Sequence, residues 1–185
     1  MNNTPDITIS AGSTTGTASF TPTNDSTYEG NETGIVAISG VSGADAAEDG
    51  TQSVTITITE DDSAPTVTLA TSASSIAENA GSSLTLTATL SIATTADVTV
   101  ALSTSGTGTE GTDYSTISDI TISAGATTGT ASFTPTDDSV YEGNETGIVA
   151  ISSVSGGSAT EDGTQSVTIT ITENESSPTV TLATS

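Results

Sequence analysis

The chain has no cationic side chain, because its 185 residues include no lysine, no arginine and no histidine. Its 23 aspartate and glutamate residues give a formal net charge of -23 at pH 7. Proteins that bind nucleic acid do so through a basic surface, which this composition cannot provide. An anionic membrane surface would also repel the chain. We therefore expect no nucleic-acid partner.

Cysteine and tryptophan are absent as well. Disulfides and catalysis through cysteine, histidine or lysine are thereby excluded, although the missing cysteine does not decide the redox compartment. No apolar run is close in length to the about 20 residues that a membrane-spanning helix needs. We therefore expect no direct membrane insertion. The opening MNNTPDITIS lacks the charged and apolar regions of a signal peptide. We expect the 185 residues to be a segment of a longer chain.

Large apolar residues are scarce, since Leu, Ile, Val and Phe make up less than a fifth of the chain. Such a composition, combined with a high net charge, is typical of disordered proteins. Two features nevertheless favour a folded protein. The apolar residues alternate with Thr and Ser in strand-like runs, and the acidic residues are clustered rather than evenly spread. We therefore expect a folded chain with a thin apolar core.

The sequence repeats itself. Residues 6–72 recur as residues 119–185, and 57 of the 67 aligned positions are identical. The offset of 113 residues is the size of a domain, which predicts tandem repeats of about 113 residues rather than a solenoid. The domain boundaries are expected at the repeated proline: a complete repeat at 65–175, the C-terminal half of a preceding repeat at 1–62, and the first strand of a following repeat at 178–185.

Alternation of apolar and polar residues predicts strands throughout the complete repeat. In residues 83–90, for example, Leu84, Leu86 and Leu90 share one face while Thr occupies the other. Tyr114, Tyr141 and Phe133 are expected in the core, because too few aromatics exist to form a stacking platform for a ligand. Seven short strands predict an all-β, antiparallel, immunoglobulin-like β-sandwich. They are residues 66–70, 83–90, 97–103, 119–123, 129–133, 145–154 and 165–172.

The densest acidic stretch is DDSVYEGNE, residues 137–145, and a nearly identical NDSTYEGNE occupies residues 24–32. No cationic side chain can neutralise these carboxylates, so a hard divalent cation is the obvious counter-charge. Further acids in the repeat follow strands, at Glu78, at Glu110 and Asp113, and in the triplet 173–175. Sequence spacing leaves open whether these segments share one end of the sandwich. Asp97, Asp119, Glu161 and Asp162 lie outside these clusters and are expected to be solvated.

Several of these stretches occur together in one known family. They are SIAEN, GTDY with the extended segment that follows it, DDSVYEGNE, and a last strand that ends in an acidic triplet. In this combination, residues 65–175 resemble a Calx-beta domain, the calcium-binding module of sodium–calcium exchangers and of many large bacterial surface proteins. The resemblance implies a β-sandwich whose acidic segments meet at one pole and bind calcium.

The resemblance also implies a ligand set. In the complete repeat the ligands would be Glu78, Asp113, Asp138, Glu142, Glu145, Glu173 and Glu175, together with the carbonyl of Val140. In the preceding copy they would be Asp25, Glu29, Glu32, Glu60, Asp61 and Asp62. The terminal triplet is usually rich in aspartate in this family, whereas residues 173–175 read Glu-Asn-Glu. The number of calcium ions per repeat therefore stays open.

Three functions are compatible with these features. The leading hypothesis is a calcium-binding structural repeat of an extracellular stalk, adhesin or surface fibre, because near-identical copies suit a spacer. A calcium-sensing or calcium-buffering module is the alternative. A carbohydrate-active enzyme using Asp137 and Glu142 is disfavoured, because the chain has no tryptophan on which a sugar could stack. We therefore expect no enzymatic activity and no catalytic residues.

The same hypothesis sets expectations for partners and location. The partners would be neighbouring repeats of the same chain, and other copies of the chain if it forms a fibre; the adhesion target stays open. The protein would be extracellular, either secreted or attached to the cell surface. The short acidic connection at residues 60–65 is expected to stiffen when calcium binds, because Pro65 and the metal would both restrict it.

Overall fold

The structure, a computed structural model, describes residues 5–184, and that part of the chain contains strands and loops but no helix. Hence no helix long and apolar enough to cross a membrane is found among the described residues. The strands are β1 (Thr27–Tyr28), β2 (Glu32–Ala37), β3 (Ser53–Ile58), β4 (Thr66–Thr71), β5 (Ser75–Ala77), β6 (Leu84–Leu90), β7 (Ala93–Thr94), β8 (Val98–Gly106), β9 (Ile120–Ile122), β10 (Thr128–Phe133), β11 (Glu145–Ser155), β12 (Thr160–Glu161) and β13 (Ser166–Thr172).

The described residues form two compact units. Unit 1 consists of residues 5–25 and 31–59, and unit 2 of residues 26–30 and 60–184. The segment Ser26–Gly30 thus belongs in space with the residues of the complete repeat. The predicted boundaries at 1–62, 65–175 and 178–185 stay a prediction; residues 1–4 and Ser185 lie outside the described residues.

Unit 2 is a β-sandwich. One sheet has the strand order β10-β6-β4-β12 and the other has the order β5-β13-β11-β8-β9. A single cluster of buried side chains joins the two sheets, with Val67, Leu86 and Phe133 from the first and Val100, Val149 and Ile169 from the second. The prediction of an all-β sandwich is therefore confirmed. The finer immunoglobulin-like assignment stays a prediction.

Each of the seven predicted strands is present, and period-two alternation explains them. Along β6, Leu86, Ala88 and Leu90 are buried, whereas the alternate residues Thr85 and Thr89 are exposed and Thr87 is half-buried. Along β13, Ile169 and Ile171 are buried in the same way. β11 is partly buried on both faces, as a strand with neighbours on either side requires.

The sheets are not purely antiparallel, which corrects the prediction. The central pairs are antiparallel, but β12 pairs with β4 in parallel and β5 pairs with β13 in parallel. Both additions are short edge strands of two and three residues. They pair the outer backbone groups of β4 and β13, which would otherwise lack strand partners. Strands this short carry no alternation, so the sequence pattern did not indicate them.

Two of the three expected core aromatics lie in the core. Tyr114 and Phe133 are buried, and their rings stack with centroids 4.7 Å apart. Tyr141 is instead 44% exposed, so its placement in the core was wrong. The reason is that Tyr141 lies in the acidic loop before β11 and belongs to none of the paired strands of the described residues.

Unit 1 contains one antiparallel hairpin, β2 with β3. Its sequence repeats that of β9, β10, β11 and β13, but without a counterpart of β4, β6 and β8. The corresponding side chains differ sharply in burial, since Ile7 is 56% exposed while its copy Ile120 in β9 is fully buried. A core sequence therefore buries its side chains only where the opposing sheet is present.

Residues 178–184, predicted as the first strand of a following repeat, form no strand in this structure. Val180 and Leu182 are almost fully exposed, whereas the corresponding Val67 and Leu69 of β4 are buried between the sheets. Because the prediction concerns pairing inside a further repeat, it stays a prediction.

Candidate metal centre

Strand register brings the acidic segments of unit 2 to one end of the sandwich. β5 and β13 run in parallel with Ala77 opposite Thr172, so the residues that follow them, Glu78 and Glu173, are neighbours. The N–H of Glu78 donates a hydrogen bond to the carbonyl of Thr172 at 3.0 Å. β11 runs antiparallel to β13, and its first residue, Glu145, is therefore also at this end. The structure thus resolves what sequence spacing had left open.

The first carboxylate cluster consists of Glu78, Glu173 and Glu175. Each offers an oxygen atom, and these oxygens lie within 4.8 Å of one another. Glu78 is buried, and this burial raises the pKa of its carboxyl group. The N–H of Asp138 donates to Glu78 Oε1 at 3.3 Å, which ties the acidic loop 137–145 to the cluster.

The second cluster consists of Asp113, Glu142 and Glu145, whose oxygens also lie within 4.8 Å of one another. Desolvation by neighbouring groups, and next the negative charge of Asp113, raise the pKa of both the exposed Glu142 and the half-buried Glu145. Glu173 of the first cluster adds to the shift at Glu142, and Glu78 adds to the shift at Glu145. The two clusters therefore interact electrostatically and form one acidic pole.

Glu173 organises the loop around it. Its Oε2 accepts hydrogen bonds from the N–H groups of Glu142 at 2.6 Å and Gly143 at 2.8 Å. Its Oε1 accepts from the N–H groups of Asn174 and Glu175, each at 2.9 Å. These backbone donors, that of Glu175 foremost, lower the pKa of Glu173 to about 2. The ionised carboxylate consequently fixes the conformation of residues 142–143.

Glu175 is in the opposite situation. The hydrogen bond between its carboxyl group and Glu173, followed by burial, raises its pKa to about 7. Its Oε2 atom is buried and receives no hydrogen bond from a donor group of the described residues. A buried oxygen without a partner is costly, and its presence at an acidic pole indicates a place for an electropositive ligand.

Asp138 and Val140 lie in the same loop as Glu142. Val140 donates its N–H to Asp138 Oδ1 at 2.6 Å, and its side chain is exposed. Asp138 contributes to the raised pKa of Glu78 and of Glu142. Every residue of the predicted ligand set in the complete repeat thus lies at or beside the two clusters, while their coordination of an ion stays a prediction.

The Calx-beta domain family matches residues 60–175, which is more than half of the chain. The chain belongs to the Calx-beta domain family. Among solved structures, the crystal structure of the apo form of the Calx CBD1 domain matches at 16% identity. That match covers 60% of this chain and 99% of that one, with a TM-score of 0.49. No curated protein sequence matches this chain.

A third cluster consists of Glu60, Asp61 and Asp62, at the start of the matched range 60–175 and just before the predicted complete repeat 65–175. Glu60 Oε2 accepts from the N–H groups of Glu29 and Gly30 at 2.6 Å, as Glu173 does in the complete repeat. Backbone donors, with Asp62 first and Glu29 next, lower the pKa of Glu60.

Three further predicted ligands of the preceding copy lie outside this cluster. Glu29 contributes its backbone N–H to the contact with Glu60, and its carboxylate belongs to none of the clusters among the described residues. Asp25 and Glu32 are residues of unit 1. The ligand roles of these three side chains stay predictions.

Four acids outside the clusters were expected to be solvated. Asp97, Asp119 and Asp162 are exposed, as expected, whereas Glu161 is half-buried. Several acids of the complete repeat also accept hydrogen bonds from the backbone. Asp97 accepts from the N–H of Ala124, Asp119 from that of Leu102, and Glu161 from that of Gln165. Glu110 accepts from Thr104 and from the N–H of Ile117, both at 2.7 Å.

The acidic pole fits a calcium ion. All six cluster side chains offer carboxylate oxygens, and Ca²⁺ binds about 6–8 oxygens at about 2.3–2.6 Å. Oxygens within 4.8 Å of one another are close enough to share such an ion. A bound cation would give Glu175 Oε2 a partner. It would also favour the ionised carboxylates and so lower the pKa that is raised at Glu78, Glu142 and Glu145. The absence of His and Cys disfavours zinc and copper.

Proposed function

We propose that this chain is a calcium-binding structural repeat of an extracellular stalk, adhesin or surface fibre. The observation that carries the proposal is the pair of adjacent three-carboxylate clusters, one of which contains the buried, unpartnered Glu175 Oε2. The chain has no cationic side chain to neutralise these groups. Membership of the Calx-beta family, whose resemblance implied calcium binding, supports the same conclusion.

Glu78, Glu173 and Glu175 would hold calcium at the first cluster, and Asp113, Glu142 and Glu145 at the second. The ion would supply the positive charge that the chain lacks. The protein's own residues position the ligands: Glu173 fixes residues 142–143 through their N–H groups, and Asn144 Oδ1 accepts from the N–H of Glu173 at 3.0 Å. The loop and the end of β13 are therefore connected by the protein's own hydrogen bonds.

Several features favour a structural role over catalysis. The chain lacks the side chains of nucleophilic and acid–base catalysis other than carboxylates and hydroxyls. The repeated sequence, with 57 identical positions of 67, suits tandem repeats of about 113 residues whose purpose is length and not diversity of sites. Neighbouring repeats would be the partners, and an extracellular or cell-surface location would provide calcium at high concentration.

Calorimetric titration of the full chain with calcium tests the proposal. Glu145→Gln removes one charge from the second cluster and should weaken binding at that site by at least about tenfold. The matched control is Glu161→Gln, which keeps the acceptor oxygen for Gln165 and lies outside the clusters. We expect the control to bind calcium like the unmodified chain. Equal affinities for all three proteins, or no calcium binding by the unmodified chain, would refute the proposal.

A further inference from the structure

The acidic loop occurs twice in the chain, and it has the same internal hydrogen bonds both times. In the first copy, Glu60 Oε2 accepts from the N–H groups of Glu29 and Gly30. In the second copy, Glu173 Oε2 accepts from those of Glu142 and Gly143. The glycines adopt the same left-handed backbone, with φ of 77° at Gly30 and 79° at Gly143. The two loops therefore present equivalent backbone segments.

Only one of the two loops is paired with a strand. Thr27 and Tyr28, as β1, pair in parallel with Ala93 and Thr94 of β7. The equivalent residues of the second loop are Val140 and Tyr141, and no strand among the described residues pairs with them. Their side chains are 57% and 44% exposed, whereas those of Thr27 and Tyr28 are half-buried. The same loop thus occurs once docked and once open.

The docked copy identifies the partner that this loop fits. Strand addition to an exposed edge is set by backbone hydrogen bonds, so a segment with the same conformation accepts the same kind of edge. β7 of this chain is already paired with β1 and is therefore not available to the second loop. The fitting edge is the β7 segment of a further repeat, with the sequence SIATT found here at residues 91–95.

We propose that residues 140–141 are a docking edge for β7 of the next repeat, and that the β1–β7 pair is the contact that joins consecutive repeats. This inference rests on the proposed tandem-repeat function. The exposed Tyr141 then has a purpose that its expected place in the core did not suggest. The loop that carries the calcium ligand Glu142 would also carry the contact to the next repeat.

Fluorine NMR of fluorotyrosine-labelled protein tests the proposal, because the chain has only three tyrosines. In the 185-residue chain, Tyr114 should be inaccessible to solvent, Tyr28 partly protected and Tyr141 accessible. A chain lengthened by adding residues 73–185 again after Ser185 should still show a single accessible tyrosine, that of its last loop. Tyr141, assigned through Tyr141→Phe, should now resemble Tyr28. Two accessible loop tyrosines in the lengthened chain would overturn the proposal.

A matched pair of variants of the 185-residue chain tests the docked copy. Thr27→Pro and Val140→Pro make the same change in the two loops, so effects within the loop are common to both. Thr27→Pro should also break the pairing with β7 and make Tyr28 as accessible as Tyr141. Val140→Pro should leave the accessibility of Tyr141 unchanged. Unchanged protection of Tyr28 in Thr27→Pro would contradict the proposed contact.

Two controls separate this proposal from its alternatives. If Tyr141 becomes protected when the 185-residue chain is concentrated, the occupant is a second copy of the chain, and docking of the next repeat is overturned. Calcium titration of the same samples tests the proposed function independently. If the lengthened chain binds calcium but shows two accessible loop tyrosines, the proposed contact between repeats is refuted and the proposed calcium binding is not.

Discussion

Two glutamates of one triplet show how strongly local contacts determine the behaviour of identical side chains. Glu173 receives four backbone N–H donors, which hold its pKa at about 2, while Glu175 has an unpartnered oxygen and a pKa of about 7. Both were predicted as calcium ligands. Glu173 has a structural role of its own through these donors, and Glu175 is the group that a cation would neutralise.

This contrast predicts opposite effects of one substitution at the two positions. In calcium-free buffer, Glu173→Gln should lower the melting temperature, because an amide oxygen replaces an ionised acceptor of backbone N–H groups. Glu175→Gln should raise it at pH 7.5, because it removes a carboxylate that is unfavourable there. In calcium, both variants should melt below the unmodified chain. Thermal unfolding followed by circular dichroism measures this, and shifts of the same sign in calcium-free buffer would contradict the assignment.

The same two pKa values predict the pH dependence of the metal-free protein. The pKa of Glu175 is about 7, above its ordinary value of 4.5, so its contribution to stability is complete below pH 4.5 and is lost as the pH rises to 7. The pKa of Glu173 is about 2, so its contribution is present above pH 4.5 and is lost as the pH falls to 2. Stability from these two groups is therefore greatest near pH 4.5.

We expect calcium-depleted protein to melt at a higher temperature at pH 5 than at pH 7.5. Saturating calcium should reverse this order, because the ion binds the deprotonated carboxylates. Melting curves at both pH values, with and without calcium, test both statements. A metal-free protein that is more stable at pH 7.5 would show that the acidic pole does not control the pH dependence.

The sequence indicated the members of the site better than their individual roles. Carboxylates placed after strands indicated Glu78, Asp113 and the loop 137–145 as candidate ligands, whereas only the resemblance to the Calx-beta family implied that they meet. The sequence could not reveal the difference in pKa between Glu173 and Glu175, because that difference depends on which backbone N–H groups face each carboxylate. Nor could the sequence reveal that Asp119 accepts from the N–H of Leu102 in β8 and Asp97 from the N–H of Ala124 in the turn after β9.

Among the elements, long strands with alternating residues were predicted well. β6 and β13 each place every second side chain in or against the core, and one buried face is enough to fix such a pattern. β5, β7 and β12 have only two or three residues, and their pairing depends on the edges that they meet in three dimensions. The parallel edges of both sheets were missed for this reason.

The close packing of Gly147 in β11 against an aromatic ring allows a prediction about stability. A Cβ atom at this position would lie 2.7 Å from Cε2 of Phe133, whose ring is fully buried and stacked on Tyr114. Gly147→Ala should therefore lower the free energy of unfolding by about 1–3 kcal/mol. Urea denaturation in calcium-containing buffer measures the loss.

The repeat provides a control for this substitution. The equivalent residue of unit 1 is Gly34, and a Cβ atom there would lie 3.4 Å from Cζ of Phe20, close to ordinary contact. Gly34→Ala should change the free energy of unfolding by less than about 0.5 kcal/mol. Similar losses for the two variants would mean that contact with the Phe133 ring is not the cause.

For the whole molecule, the proposed function predicts calcium-dependent stiffness. Tandem copies should form a rod in calcium, because the acids 60–62 at the connection would be held by the ion. In chelator their like charges repel one another, and Pro65 alone restrains the connection. A strand of about 7 residues spans about 23 Å, so with its loops each repeat should lengthen the rod by roughly 40 Å.

Small-angle scattering from a chain of four or more repeats gives the maximum dimension directly. We expect this dimension to increase linearly with the number of repeats in calcium and to contract in chelator. The same compact profile in both conditions would remove support for a spacer and favour the alternative of a calcium-sensing or calcium-buffering module.

The near-identity of the two copies also affects how the chain folds. In the folded protein, β8 pairs with β11, whose sequence in residues 145–152 is identical to residues 32–39. An unfolded β8 therefore has two almost indistinguishable partners, and the loops that would connect it to them differ in length by less than a factor of two. The resulting difference in loop-closure free energy is less than about 0.6 kcal/mol. It therefore discriminates only weakly between the native pairing of β8 with β11 and a misfolded pairing of β8 with the earlier copy. During synthesis the earlier copy emerges first, ahead of β8 itself. Native pairing is then favoured when the earlier copy is already enclosed in its own sandwich before β8 leaves the ribosome.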